Sequence, residues 1–365
     1  MKIVQIVPRL PPYTDGVGDY SILLANQLSK DYGIVTHFLV FKPGNKTEPI
    51  VAGFPVTGIP AHTPEALLSV LPADIEAIIL QYSNYPYLQN KWDAPFWLAT
   101  ALEMAVKQRN IKSIVMFHEL PTLKFKKLNF LHPIQSLVSR RLAKIATTVL
   151  TNSDRFQKVL GGWLQHPVTC IPNFSAIGEP NEQVPPLSDR TRRMIVFGGN
   201  DRTRVYQNYL TGLLYSCQAL GIEEICDIGK PLNLQTSDFP GLRLVQMGFQ
   251  PAEAIRELML NSLAGFFDYS RFPGTLGKSS VFAAFCAHGL VPISSCYNPS
   301  ESDGLEMHEH YLVPDRFLQN LSLTQLQTVA NNSHKWYMNH NIRQNTQVFA
   351  SYIQGATSAA KRNKI

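Results

Sequence analysis

Charge is scarce in this chain. Of 365 residues only 16% are Asp, Glu, Lys or Arg, against 45% apolar ones, a balance that excludes a disordered chain and can fill two hydrophobic cores at this length. Cysteine is sparse too. Cys170, Cys217, Cys226, Cys286 and Cys296 form no C-x-x-C pair, so reduced, buried thiols in a cytoplasmic protein are expected. No stretch approaches the roughly 20 apolar residues of a membrane span. The apolar run Ile3 to Val7 is stopped by Pro8 and Arg9, which argues against a signal peptide. No Asp-x-Asp pair occurs and no His or Cys cluster has metal-ligand spacing, so no metal is expected. The net charge of +6 admits an acidic partner, whether phosphate, nucleic acid or an anionic membrane.

What is present is a recurring pattern. Short apolar runs at 3–7, 34–41, 75–82, 113–119, 147–152 and 168–172, and again at 194–198, 223–228, 242–247, 264–269 and 290–294, alternate with helical stretches. That alternation predicts parallel α/β sheets. Pro172 to Arg190 carries three further prolines and little periodicity, and is expected to link two domains. The division is therefore a first Rossmann-like domain at 1–172, a linker at 173–190 and a second Rossmann-like domain at 191–333. A helix at 334–365, with Trp336, Tyr337, Ile342, Val348, Phe349 and Tyr352, is expected to dock late. Sheets of this kind bind ligands at the carboxyl ends of their strands.

Residues 265 to 293 read as strand, glycine-rich turn, short buried helix and strand, with Lys278, Ser279 and Ser280 at the helix start. A serine there can cap the helix, whose first N–H groups lack partners and whose dipole favours an anion. Gly274 and Gly277 let the backbone approach that anion, and Lys278 adds a full charge. A P-loop is excluded, because its first glycine falls where this chain has Phe272. Upstream, Met194 to Tyr206 form a strand, the turn Gly198-Gly199 and a helix with Arg202 and Arg204. Arginine grips phosphate oxygens bidentately, so both are expected at the same phosphates, with surface salt bridges as the plainer reading.

In the first half, Gly16-Val17-Gly18-Asp19-Tyr20 lies well beyond the first strand, and the second strand runs into Lys42 where a dinucleotide fold has an acid. A mobile glycine loop over a ligand fits better than a dinucleotide fingerprint. His118-Glu119 sits at a strand carboxyl end, where a histidine can contact substrate. Between Lys124 and Lys144, cations alternate with apolar residues, a pattern that suits an anionic membrane surface or a solvated helix face.

In order and spacing these pieces resemble the GT-B glycosyltransferases, and within them the retaining family often called GT4-like. The resemblance covers nearly the whole chain: the Gly16 to Tyr20 loop, His118-Glu119, Thr147 to Ser153, Ile171-Pro172-Asn173, Phe197 to Arg204, Gly248-Phe249 and Phe267 to Arg271. It implies two Rossmann-like domains facing a cleft and a last helix that crosses back to the first. It also implies a nucleoside-diphosphate sugar as donor, no cofactor or metal, and a carbohydrate, polysaccharide or lipid-linked acceptor. On this resemblance Arg204 takes the place of a lysine that contacts the donor diphosphate. Lys278, Ser279 and Ser280 hold that diphosphate with Gly199, Arg202 and Gly277. Gly16 and Gly18 close over donor and acceptor, and His118 reaches the sugar.

One departure stands out. The family carries two glutamates across this turn, yet from Phe272 to Gly289 this chain has no carboxylate. That gap motivates a second expectation, a nucleotide-sugar-binding partner subunit without turnover. Nucleic-acid binding has no recognisable module in the sequence.

Overall fold

A computed structural model of the chain describes residues 1–13, 15–41, 48–88, 93–121, 132–297 and 303–355. It separates into two compact units, Met1–Ile171 with Arg343–Ile365, and Pro172–Ile342.

The first unit is a doubly wound sheet. Its strands are β1 (Lys2–Val7), β2 (Val35–Phe41), β3 (Ile50–Val51), β4 (Phe54–Ile59), β5 (Ala77–Tyr82), β6 (Lys112–Phe117), β7 (Thr148–Thr151) and β8 (Thr169–Cys170). Among the described residues they lie in the order β3-β4-β2-β1-β5-β6-β7-β8, all parallel except the β3–β4 hairpin. The chain winds outwards from β1 to β4, returns to the other side of β1 at β5 and winds outwards again. The direction therefore reverses between β1 and β5, where such sheets open a crevice at their carboxyl ends. Helices α1 (Gly16–Tyr32), α2 (Pro64–Val70), α3 (Phe96–Arg109), α4 (His132–Ile145) and α5 (Asp154–Leu164) connect the strands. Near-continuous runs such as Ile78-Ile79-Leu80 in β5 and Ile114-Val115-Met116 in β6 are fully buried, as befits strands covered on both faces.

The second unit repeats the plan. Strands β9 (Thr191–Phe197), β10 (Glu224–Ile228), β11 (Arg243–Gly248), β12 (Ser262–Phe267) and β13 (Val291–Ser294) take the order β11-β10-β9-β12-β13, and the winding reverses between β9 and β12. Helices α6 (Asn200–Asn208), α7 (Leu210–Leu220), α8 (Ala252–Leu260), α9 (Ser280–Ala287) and α10 (Leu323–Met338) complete it. Every strand expected from the sequence has its counterpart, and only the β3–β4 hairpin was not expected.

Two boundaries differ from expectation. Residues 173–190 are part of the second unit, fastened by hydrogen bonds that a free linker lacks. Asn173 N–H donates to the Gly277 carbonyl at 2.9 Å, and the Glu179 carboxylate accepts from Tyr337 O–H and Ile342 N–H, each at 2.6 Å. Arg190 donates to the carbonyls of Pro185, Ser262 and His288. The expected late helix is two helices. α10 begins at Leu323 behind a Ser322–Gln325 capping box and belongs to the second unit, where the Trp336 indole N–H donates to the Asp303 carbonyl at 2.8 Å. Only α11 (Ile342–Gln354), from Arg343 on, goes with the first unit, where Lys112 Nζ donates to the Ile353 carbonyl at 2.9 Å. The second segment of the expected helix, from residue 356 on, lies outside the described residues.

Candidate functional site

The reversal between β9 and β12 carries a pocket of about 200 Å³, lined by Phe197, Gly198, Gly199, Arg202, Val205, Phe267, Asp268, Tyr269 and Lys278 to Val281. Two helices begin at its wall. Gly199 is the N-cap of α6, and a side chain built on it would meet nothing within 4 Å. Ser279 is the N-cap of α9, its Oγ accepting from Phe282 N–H at 3.1 Å. Each helix start presents backbone N–H groups and the positive end of a dipole to the same space. Lys278 ends the 3-10 turn Leu276–Lys278, with its Nζ 5.2 Å from the centre of the Phe272 ring, a cation–π contact. The turn is braced from behind, because Asn173 Nδ2 donates to the Lys278 carbonyl at 2.7 Å. Gly199, Lys278, Ser279 and Ser280, expected together from the sequence, are thus brought together.

The other expected residues of this unit have different employment. Arg202 is 4% exposed and ion-paired to Asp227, and its guanidinium also donates to the Lys230 carbonyl. Tyr206 O–H donates to the same carboxylate at 2.6 Å. A buried cation matched to a buried anion is held firmly in place, so Arg202 stands in the pocket lining already paired to Asp227. Gly229, at φ +141°, leaves room for it, since a Cβ there would lie 2.6 Å from the Gly198 carbonyl oxygen and 2.9 Å from Arg202 Nε. Gly277 stands outside the pocket lining, where its N–H donates to Asp303 Oδ2 at 2.9 Å and its carbonyl accepts from Asn173.

Arg204 lies beside the pocket and not in its lining. Its Nε donates to Asp268 Oδ2 at 2.8 Å and its Nη2 to Ser270 Oγ at 3.2 Å. The hydrogen bond to Asp268 raises the affinity of this guanidinium for its proton. Burial alone would raise the Asp268 carboxyl, but hydrogen bonds from Ser295, Arg204 and Ser270 outweigh it and hold the group below its ordinary value. Asp227 and Asp303 were not singled out from the sequence, and Asn173 and Asp268 stood only within stretches that carry the resemblance. The readable signal was an acid inside or just after an apolar strand, as in Glu224-Ile-Cys-Asp227-Ile and Phe266-Phe-Asp268.

In the first unit, the reversal between β1 and β5 holds a chain of buried polar side chains. Gln81 Nε2 donates to Gln5 Oε1 at 2.9 Å, and His118 Nε2 lies 2.8 Å from Gln81 Oε1. With the amide in that orientation Nε2 carries the ring proton, and Nδ1 accepts from Asn152 Nδ2 at 3.4 Å. Tyr20 meets the ring edge-on at 4.9 Å. His118 is 4% exposed, and both of its ring nitrogens have partners in this network. Glu119 accepts from Ser83 O–H at 3.0 Å.

Gly16 and Gly18 are corrected from loop to helix. They form the first turn of α1, because the Asp15 side chain accepts from Val17 N–H and Gly18 N–H. Gly18 is needed where it stands, since a Cβ there would lie 2.4 Å from the Arg9 carbonyl oxygen, whereas Gly16 faces open space. Of the basic stretch 124–144, residues 124–131 lie outside the described residues. The rest is α4.

No protein-family model and no curated protein matches the sequence. Solved structures do match, and together with the two reversing sheets they define the fold as that of the GT-B glycosyltransferases. Among them is the T4 phage alpha-glucosyltransferase in complex with UDP, with a TM-score of 0.60 and 12% identity over 96% of this chain and 99% of that one. Anabaena HepE with UDP and glucose gives 0.60 and 13% over 97% and 100%. The E. coli trehalose-6-phosphate synthase bound with UDP-2-fluoro glucose gives 0.62 and 12% over 97% and 99%.

Proposed function

We propose that this protein transfers a sugar from a nucleoside-diphosphate sugar to a hydroxyl acceptor. The observation that carries the reading is the meeting of two helix N-termini and Lys278 at one open pocket on the β9/β12 reversal. Such a cradle fits a diphosphate, and the neighbours solved with UDP or UDP-glucose make a UDP-sugar the first donor to test. The acceptor oxygen bonds to the anomeric carbon as the bond from that carbon to the diphosphate oxygen breaks. The acceptor proton passes to the departing phosphate. Attack from the leaving-group face retains the anomeric configuration and needs no side-chain base. Lys278 and the two helix starts stabilise the charge that grows on the leaving group, Arg204 lends its field from the rim, and no metal is invoked. The acceptor is a carbohydrate, a glycolipid or a small molecule. The T4 neighbour is solved with a 13-mer DNA containing an HMU base, so a modified DNA belongs among the acceptors tried.

A second reading, a nucleotide-sugar-binding subunit without turnover, is favoured by one observation. The helix that follows Lys278 buries Phe282, Ala283 and Ala284 completely or nearly so, leaving neither a carboxylate nor space for one. Thermal shift with UDP, GDP, ADP and UDP-glucose tests both readings. A UDP-selective shift that Lys278→Ala abolishes supports the donor site. Sugar transfer that persists in EDTA then separates a metal-independent enzyme from a binder, and Lys278→Ala is expected to lower kcat by about 10²–10³-fold. If no nucleotide stabilises the wild type, both readings fail.

A further inference from the structure

We propose that the second unit carries a docking groove for a basic peptide segment of a partner protein, along the strap 180–186 that precedes β9. The groove has a volume of about 700 Å³, in the range that buries a ligand of drug size. Val184, Ala287, Ala330, Tyr337 and Met338 give it an apolar floor, and the strap forms one wall. It stands at the opposite end of α9 from the pocket on the β9/β12 reversal. Ser279 and Ser280 at the start of that helix line the pocket, whereas Ala287 at its end lines the groove. The two sites are separate, so the groove does not rest on the sugar-transfer reading.

Both ends of the strap are fastened and its middle is uncommitted. Upstream, Glu179 Oε1 accepts from Tyr337 O–H and Ile342 N–H. Downstream, the buried Arg190 donates to the Pro185 carbonyl, and Leu187 N–H donates to Gln327 Oε1 at 2.7 Å. Val184 packs directly on Gly289, where a Cβ would lie 2.5 Å from Val184 Cγ1. Between these points Asn181, Glu182, Gln183 and Val184 make no hydrogen bond among the described residues. Four residues held at both ends, with their N–H and C=O groups unused, offer a row of main-chain partners to another peptide.

The walls select the partner's charge. Glu179 and Glu182 line the groove and no Lys or Arg does, in a chain with 33 cations against 27 acids. Glu179 keeps Oε2, and Glu182 its whole carboxylate, without a hydrogen-bond partner among the described residues. His334 Nδ1 donates to the Cys286 carbonyl at 2.9 Å, which leaves Nε2 of the neutral ring as a further acceptor. On the other flank of the strap, Glu253 and Glu257 line a smaller groove of about 350 Å³, where Arg256 donates to the Ile177 carbonyl at 2.8 Å. Arg190 is buried, and its guanidinium is taken by the carbonyls of Pro185, Ser262 and His288. A segment that carries Lys or Arg between apolar side chains complements acids set above an apolar floor.

An array of synthetic heptapeptides probed with the full chain tests it. Peptides with Lys or Arg at the centre between apolar residues should bind, and their Asp or Glu counterparts should not. For the tightest binder, Glu182→Lys should weaken affinity by about tenfold, and Met338→Lys, at a position 46% exposed in the groove, by a similar factor. Glu65→Lys makes the same charge change as Glu182→Lys on α2 of the first unit, and should change nothing. Methylating alternate backbone nitrogens of the peptide should cost about tenfold, through the main-chain hydrogen bonds it removes. Thermal melting of each variant reports folding separately from docking. No peptide bound, equal binding of acidic peptides, wild-type affinity in either groove variant, indifference to backbone methylation, or displacement by UDP would overturn the proposal. So would spermidine binding as tightly as the best peptide, since the groove would then take a small polyamine.

Discussion

The two sheets share a winding rule and end in different chemistry. At the reversal of the first, β1 and β5 present the amides of Gln5 and Gln81, with the His118 imidazole from the end of β6 and Asn152 from the end of β7 beside them. At the reversal of the second, β9 and β12 are surrounded by full charges, the pairs Arg202–Asp227 and Arg204–Asp268 and the cation of Lys278. A neutral chain fixes direction, because each amide must choose which end donates. A charged cluster sets a field. The first arrangement suits orienting a hydroxyl group, and the second suits receiving an anion and tolerating the charge that develops when it leaves.

The difference can be broken or sharpened by substitution. The largest effect is expected at Asp227. Asp227→Ala strands the buried Arg202 cation and removes the acceptor of Tyr206 O–H, and should cost about 3–5 kcal/mol in a denaturant titration. Gln81→Met in the neutral network should cost about 1–3 kcal/mol. Equal costs would remove the distinction between the sheets.

Function should divide the same way. Lys278→Ala should weaken UDP binding by a factor on the order of 10–100, from the loss of charge-assisted hydrogen bonds. Isothermal titration should find UDP affinity unchanged in Gln81→Met. A loss there would mean that the neutral network also serves the donor.

Acid should act on the second unit first. Burial lowers His288 to about 4 and His340 to about 3, and both belong to the second unit. Below their unfolded value of about 6.5 the unfolded chain binds protons that the folded one refuses. Stability is therefore complete above that value and falls as the pH drops towards 4. Each histidine should account for about 2 kcal/mol of loss at pH 5, and His288→Asn should remove one share in unfolding curves at pH 7 and 5.

The smallest effect runs the other way in the first unit. Burial, and then the Asp15 charge, raise Asp19 to about 6. Its contribution is fully present below its unfolded value of about 4 and is lost as the pH rises through 6. Asp19→Asn should then stabilise the protein by about 1–2 kcal/mol at pH 7.5 and hardly at all at pH 4. A Tm gain of equal size at both pH values would show that the effect is not electrostatic.

Much of this was legible in the residues. Continuous apolar runs bounded by glycine and proline placed the strands, and the turn at 274–280 announced its helix start through Lys278-Ser279-Ser280. The β3–β4 hairpin was hidden because Pro55 and Gly58 break the strand signal inside β4. The start of α10 was readable, in hindsight, from the box Ser322-Leu-Thr-Gln325, but the apolar spacing further on drew the boundary to residue 334. The ion-pair partners of Arg202 and Arg204 were not legible. Two arginines two residues apart on one helix look alike in sequence, and only the carboxylates of Asp227 and Asp268, brought up from other strands, decide which one is buried. The same holds for His118, whose partners come from α1, β5 and the residue after β7.

The hairpin at the outer margin of the first sheet has a consequence for the protein in concentrated solution. Ala52 and Gly53, at φ +51° and +83°, turn the chain in two residues. The outermost strand behind that turn is only Ile50–Val51, entered from Pro49 and paired against Pro55. A margin so short and so poor in N–H groups gives a second molecule almost nothing on which to continue the sheet. The fold thus resists self-templated aggregation at this end, and lengthening that outermost strand would be expected to cost solubility before it cost stability.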